Sequence, residues 1–258
     1  MTGAAEMKTA PVYYEGQGRF RGFTGNGLKL FAMAVMLIDH IAYAWDVFDV
    51  SNDVYFLMRV IGRFAFPIFA YMIAVGARHT HDIKKYLLRL FLFAVVSEVP
   101  FDLAFGFAGN GKWIESANQN VFFTLFLGLL SLAFLRFFRE RLNRFSMVPA
   151  TAVLLLLMLA ANFLNTDYAD VGVLSIFLFY VAADKKTAVR APLFALAILV
   201  LSFDWHTLIN TTELFAIMAL PLILLHNGQR GQKMNKWIFY AFYPGHLLLL
   251  YLLKLVLF

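Results

Sequence analysis

Leu28 to Ala42 reads LKLFAMAVMLIDHIA. After Lys29 nothing charged appears until Asp39, where an acid and a histidine stand side by side in an otherwise apolar run. A helix that is apolar on all sides belongs in a buried core or a bilayer. Extended to residues 28–46, the run is long enough to cross a hydrocarbon layer of about 30 Å at about 1.5 Å per residue. Ionisable groups inside such a span cost several kcal/mol unless function or pairing retains them. The same stretch therefore decides the fold and raises the question of function.

The rest of the chain agrees. Of 258 residues, 61% are apolar and 15% charged, where a soluble domain has about half and a quarter. The mean hydropathy is +0.71. Apolar runs recur at 28–46, 54–76, 85–106, 119–138, 147–164, 168–183, 190–204, 212–226 and 237–257. The expectation is an all-α, polytopic transmembrane bundle of about nine spans. The sixth and seventh are short, so the count lies between eight and ten. Residues 1–22 read as a polar tail and 23–258 as one domain. The tail has no apolar core of a cleavable signal, so the first span is expected to act as a signal anchor.

Charge in the loops alternates. Arg19, Arg21 and Lys29 precede the first span, and Asp46 and Asp53 follow it. Arg78, Lys84, Lys85 and Arg89 follow the second, while the loop after the third, with Lys112 and Glu115, is nearly neutral. Arg136, Arg139, Arg141 and Arg144 then alternate with Asp167 and Asp170, and Lys185, Lys186 and Arg190 with Asp204 and Glu213; Arg230, Lys233 and Lys236 follow. Basic loops stay on the cytoplasmic side, which places the N-terminus inside a bacterial inner membrane. The net charge of +6 thus reports topology and a lipid bilayer partner, and no nucleic acid is expected. The absence of cysteine excludes disulfides, thiolate metal sites and cysteine nucleophiles, and no metal is expected.

Four spans carry groups that do not belong in lipid. They are Asp39 and His40, then Arg59 and Arg63, then Glu98 and Asp102 around Pro100, and finally His246 two residues after Pro244. Residues four apart share a helix face. Counting from the loops puts the first six at one depth, in the outer half, with His246 near the midplane. The arginines are expected to neutralise Glu98 and Asp102, with Asn118 and Asn120 joining them. His40 and His246 fall within one turn of each other in depth. Interhelical ion pairing alone would also account for the charges, and Pro67, Pro100 and Pro244 read as kinks. His79, His81, His206 and His226, in loops or at span ends, read as ordinary surface residues.

A histidine in a partly dry pocket suits a general base that deprotonates an amine or hydroxyl. Arginines there would polarise a carbonyl or fix the carboxylates, and basic loops would hold an anionic cytosolic donor. On the residues alone, acyl transfer and ion-coupled transport both fit, and a non-catalytic scaffold would not need charges converging at one buried depth.

Several segments together resemble the TraX family, membrane N-acetyltransferases that modify conjugative pilin. They are LKLFAMAVMLIDHIA from Leu28, RVIGRFAFPIFAYMIAVG from Arg59, YLLRLFLFAVVSEVPFDLAF from Tyr86, QNVFFTLFLG from Gln119, DYADVGVL from Asp167 and FYAFYPGHLLLL from Phe239. The resemblance covers residue 28 to the end and makes 23–258 a TraX-like membrane domain. It implies acetyl transfer from acetyl-CoA, as co-substrate, to a protein amino terminus, with pilin or another membrane or periplasmic acceptor as partner. The wider membrane acyltransferase superfamily places a basic residue eleven positions before a histidine, as Lys29 and His40 stand here. The resemblance makes His40 the base, with Asp39 beside it and Arg59 and Arg63 as a catalytic pair, although their spacing is one residue wider than the superfamily's. Glu98, Asp102, Asn120, Tyr243 and His246 are candidates for the acceptor site or its supporting network. Lys29, Lys84, Lys85 and Arg89 are candidates for the phosphates of acetyl-CoA. A glycan or lipid acceptor, or proton-coupled transport through the same groups, is the alternative.

Overall fold

A computed structural model describes residues 22–44, 52–106, 118–204 and 207–257. The tail to Arg21, and Asp46, Lys112, Glu115 and His206 among the loop residues above, lie outside these. The chain forms helices α1 (Gly25–Ala44), α2 (Asn52–Gly62), α3 (Ala65–His79) and α4 (Ile83–Phe101), the last continued by a π-helical turn, Asp102–Gly106. Then come α5 (Val121–Leu142), α6 (Met147–Phe163), α7 (Ala169–Ala182) and α8 (Thr187–Leu199). A 3₁₀ segment, Glu213–Ala219, leads into the short α9 (Leu220–Leu224), and α10 (Lys236–Leu257) closes the bundle. Two-residue strands β1 (Phe203–Asp204) and β2 (Leu208–Ile209) pair as an antiparallel clip.

Each expected span meets a helical stretch. Four stretches are long and apolar enough to cross a membrane: Gly25–Ala44, Asn52–His79, Val121–Leu142 and Lys236–Val256. The 19-residue α4 carries Lys84, Lys85, Arg89 and Glu98, which sets it apart from those four. The apolar stretches Met147–Phe163, Ala169–Ala182, Thr187–Ser202 and Glu213–Leu224 are shorter. Leu155, Leu156 and Leu159 on α6, and Val95, Val96 and Val99 on α4, point outward and are exposed. Side chains of this kind in continuous outer faces suit lipid rather than water. The all-α bundle is the fold expected of the sequence.

Small residues let the inner helices close up. Ala32, Ala70, Ala74, Ala77 and Ala94 are essentially inaccessible, and without bulk at these positions helix backbones approach closely, as in membrane interfaces. Helix α1 packs on α2, α3 and α10; α5 packs on α4, α6 and α7; and α3 lies against α7. Backbone bridges tie both ends of the bundle. Phe23 pairs with His226 at the end that carries the basic loops, and Gln119 pairs with Thr166 at the other. At the basic end Arg136 donates to the carbonyls of Ala77 and Thr80, and Arg78 pairs with Asp184. His226 is buried rather than solvated, its Nδ1 2.9 Å from the Tyr71 hydroxyl. Sequence depth placed it correctly at a span end, but depth says nothing of which way the ring turns.

Candidate active site

The site begins with a broken helix. Pro67 has no N–H for the Arg63 carbonyl four residues earlier, and its ring crowds that carbonyl. The chain tightens there instead, with Arg63 N donating to Val60 O at 3.2 Å and Phe64 N to Ile61 O at 3.3 Å. The break separates α2 from α3 and leaves Arg59 and Arg63 facing α1. Gly62 makes room for that meeting, because a Cβ on it would run into the Asp39 side chain.

Asp39 receives both arginines. Arg63 Nη2 donates to its two carboxylate oxygens at 2.8 and 2.9 Å, and Arg59 Nη1 lies 2.9 Å from Oδ2. Arg63 Nη1 also binds Glu213 and reaches the Tyr168 hydroxyl at 3.4 Å. Two guanidiniums thus face two carboxylates, which is the condition for keeping such charges buried. The expected partners were different. Glu98 instead accepts from the side chain of Asn120, and Asp102 is buried in the π-helical turn. Loop counting fixed depth but not rotation about each helix axis, and rotation decides who pairs. Glu213 had been read only as an acid of an outer loop; its place at the head of a helix entering the bundle carried the missed signal.

Tyr168 completes this layer in a strained backbone. Its φ is 59°, a left-handed conformation uncommon for a bulky residue. The ring lies flat on Phe66, with centres 3.9 Å apart. The loop before it is anchored by Thr124, whose hydroxyl donates to the Asp167 carbonyl and accepts from the Thr166 hydroxyl at 3.0 Å. Across the bundle Asn120 caps α5, accepting from Phe122 N at 3.0 Å and donating to Ala94 O at 2.8 Å. Asn120, Glu98 and Asp102 lie outside the cavity wall, and the bonds of Asn120 to Glu98 and Ala94 join α5 to α4.

His40 and His246 meet. His40 Nδ1 lies 2.7 Å from His246 Nε2, the rings tilted by only 12° and their centres 4.9 Å apart. The nitrogen separation takes up most of the distance between ring centres, so the rings join edge to edge in a common plane. His246 Nδ1 is in turn 2.7 Å from the Phe242 carbonyl. A carbonyl only accepts, so His246 Nδ1 carries the proton. In the neutral ring Nε2 is then an acceptor, His40 Nδ1 donates to it, and His40 Nε2 is left with its lone pair. Phe105 and Tyr243 stand edge-on to His40, at 5.4 and 5.9 Å between ring centres. Asp39 does not orient the His40 ring, because neighbours in a helix point in different directions and its carboxylate is taken by the arginines.

These groups open onto a cavity of about 970 Å³, at the upper end of ligand-sized clefts. His40, Asp39, Arg59, Arg63 and Tyr243 line one end, and Lys29, Arg89, Lys236 and Phe239 line the other. Along α1 the wall runs from Lys29 to Tyr43, roughly 21 Å at about 1.5 Å per residue. Lys29 Nζ sits 5.1 Å from the Phe239 ring centre and Arg89 5.5 Å from that of Tyr86. Lys84 and Lys85 are exposed and do not line it, and Lys85 pairs with Asp82 at 3.2 Å. Thr80 before them and Tyr86 after them do line the cavity, so it is rotation about the α4 axis, not depth, that keeps the two lysines off the wall. His246 is behind His40 rather than on the wall, so it supports that ring instead of lining a path.

The family described as TraX protein matches residues 24–254. The probable fimbrial assembly protein FimC, serogroup H1, of Dichelobacter nodosus is 25% identical over 242 residues, 88% of this chain and 94% of that protein. No solved structure matches the fold. Leu28–Ala42 and Arg59–Gly76, two of the six segments whose motifs together suggested the family, build the layer of Asp39, His40, Arg59 and Arg63. The chain belongs to the TraX family.

Proposed function

We propose that this protein is a membrane-embedded acetyltransferase that moves the acetyl group of acetyl-CoA to an amine, with the amino terminus of a pilin as the acceptor. The observation that carries the reading is the lone pair on His40 Nε2, set by the His246–Phe242 chain and presented to a cavity walled by two arginines. The similarity to a protein named for fimbrial assembly supports a pilus substrate. The alternation of loop charge supports a bacterial inner membrane location with the basic end in the cytoplasm.

Lys29, Arg89 and Lys236 would hold the phosphates of the donor at the basic end, as cations do. The pantetheine arm would follow the cavity to His40. The acceptor nitrogen attacks the thioester carbonyl carbon, forming a C–N bond. His40 Nε2 takes a proton from that nitrogen. Arg59, whose one described ion pair leaves further N–H donors, stabilises the oxyanion. The C–S bond then breaks, and the thiolate leaves as a thiol with the proton from His40. The products are an N-acetyl amine and free CoA, and His40 returns neutral.

Incubating the detergent-solubilised protein with acetyl-CoA and a peptide with a free amino terminus tests the reading. Mass spectrometry should find the acetylated peptide, with free CoA in equal amount. Intact acetyl-CoA and unmodified acceptors, with peptides, glycans and lipid amines all tried, would overturn it.

A further inference from the structure

The basic end of the cavity holds more than cations. His79, the last residue of α3, stands on its wall with Lys29, Arg89 and Lys236, although its place in a basic loop reads as solvated surface. The α3 wall runs from Ala65, two residues after Arg63, to His79, roughly 21 Å at about 1.5 Å per residue. His79 therefore marks the far end of the path that leads to His40.

The His79 ring has a fixed sense. Its Nδ1 lies 2.9 Å from the Val75 carbonyl, one turn earlier. A carbonyl only accepts, so Nδ1 carries the proton, and in the neutral ring Nε2 is an acceptor. The backbone beneath is held as well. Arg136 donates to the carbonyls of Ala77 and Thr80 at 3.0 and 3.3 Å, and Thr80 N donates to Gly76 O at 3.0 Å. The ring itself is exposed, so a ligand in the cavity reaches it. Next to it on the wall, the Thr80 hydroxyl donates to Asp82 O at 3.3 Å, which leaves its oxygen as a second acceptor. Lys29, Arg89 and Lys236 offer only N–H donors, and these suit phosphate. The His79 lone pair does not, because a phosphate oxygen would meet it acceptor to acceptor. It calls for an N–H donor on the same ligand, beyond the phosphates.

We propose that this end of the cavity reads the base of a nucleotide, and that His79 Nε2 accepts from the exocyclic amine of adenine while the cations hold the phosphates. The proposal rests on the acetyl-CoA reading of the cavity and adds to it a base requirement and the residue that sets it. The amine carries two N–H donors and faces a stretch of wall with two acceptors. Hypoxanthine has a carbonyl oxygen in place of that amine and would set acceptor against acceptor. His79 is remote from the reacting atoms, so its part is specificity.

The test titrates the full chain in detergent at about pH 8, where imidazole is uncharged. The ligands are coenzyme A and its deaminated form, in which hypoxanthine replaces adenine, and calorimetry reads their binding. Coenzyme A should bind about ten-fold more tightly, as expected when a hydrogen bond is lost and its acceptor is left unpaired. His79→Phe should remove that preference, and His79→Gln, whose carbonyl can accept, should keep part of it. Lys29→Ala should weaken both ligands alike and leave their ratio intact. Equal binding of the two by the wild type, or a folded His79→Phe that still discriminates, overturns the proposal even if acetyl transfer occurs. Binding of neither ligand removes the acetyl-CoA reading and the proposal with it. Discrimination that depends on His79, without acetyl transfer to any acceptor, upholds the base site and removes the acetylation reading.

Discussion

His40 and His246 are 206 residues apart in the chain, yet their Nδ1 and Nε2 atoms are 2.7 Å apart, with the Phe242 carbonyl completing the line. The arrangement gives His246 a positioning role, since it fixes which nitrogen of His40 is basic. Replacing His246 with Phe keeps an aromatic ring and removes the acceptor. The turnover of acetyl-CoA should then fall by about 100-fold, within the range general-base catalysis contributes, while KM for acetyl-CoA stays within about two-fold of the wild type. His246→Gln, whose carbonyl can accept from His40 Nδ1, should recover part of the loss. Equal rates for Phe and Gln would remove the positioning role.

Arg63 is bound by Asp39 and Glu213 together. Removing one member of a buried ion pair typically costs about 3–5 kcal/mol, because its partner is left charged and unpaired. Arg63→Met should lower the melting temperature in detergent sharply. Adding Glu213→Gln should restore part of it, since the stranded charge is gone. A double variant that loses the sum of both singles would show that the pair does not act as a unit.

At the basic end, the cavity wall separates two kinds of cation. Arg89→Ala and Lys29→Ala should raise KM for acetyl-CoA, each by about ten-fold, as loss of a charged hydrogen bond does. Lys84→Ala and Lys85→Ala, off the wall, should leave it unchanged. Steady-state kinetics on the four variants checks the assignment.

Asp167 gives a pH signature. The Asp167 side chain opens onto the enclosed cavity, and loss of bulk water there pushes its carboxyl up to about 6, outweighing the opposing pull of Arg63. Its charged form is therefore scarce at pH 5 and dominant at pH 7. The α-amino group of a peptide, with a pKa of about 8, stays protonated through that window. Binding of an acceptor peptide such as glycyl-leucine amide, its amino terminus free, should strengthen as pH rises from about 5 to 7, and Asp167→Asn should flatten the profile. A profile that does not change in Asp167→Asn would assign the titration to another group.

Much of this was legible in the chain. The Asp-His pair in an apolar run, and loops alternating in sign, set depth along each helix, and depth is what brought His40 and His246 to one level. Depth does not give rotation. That is why Arg59 and Arg63 were matched with Glu98 and Asp102, when Asp39 and Glu213 face them. Pro67 held a readable clue, since a proline four residues after Arg63 interrupts the helix and turns that arginine. Glu213 was harder to read, because an acid beside polar Asn210, Thr211 and Thr212 looks like any loop acid until the 3₁₀ segment carries it inward. Lys84 and Lys85 misled because a basic run at a span end serves topology whether or not it binds a ligand.

The most direct measurement is the release of free CoA from acetyl-CoA, with a free-amine peptide present, by wild type and by His40→Ala, both shown by thermal melting to be folded in detergent. The account predicts release by the wild type and a loss of about 10²- to 10⁴-fold in the variant. A folded His40→Ala that releases CoA at the wild-type rate would contradict it.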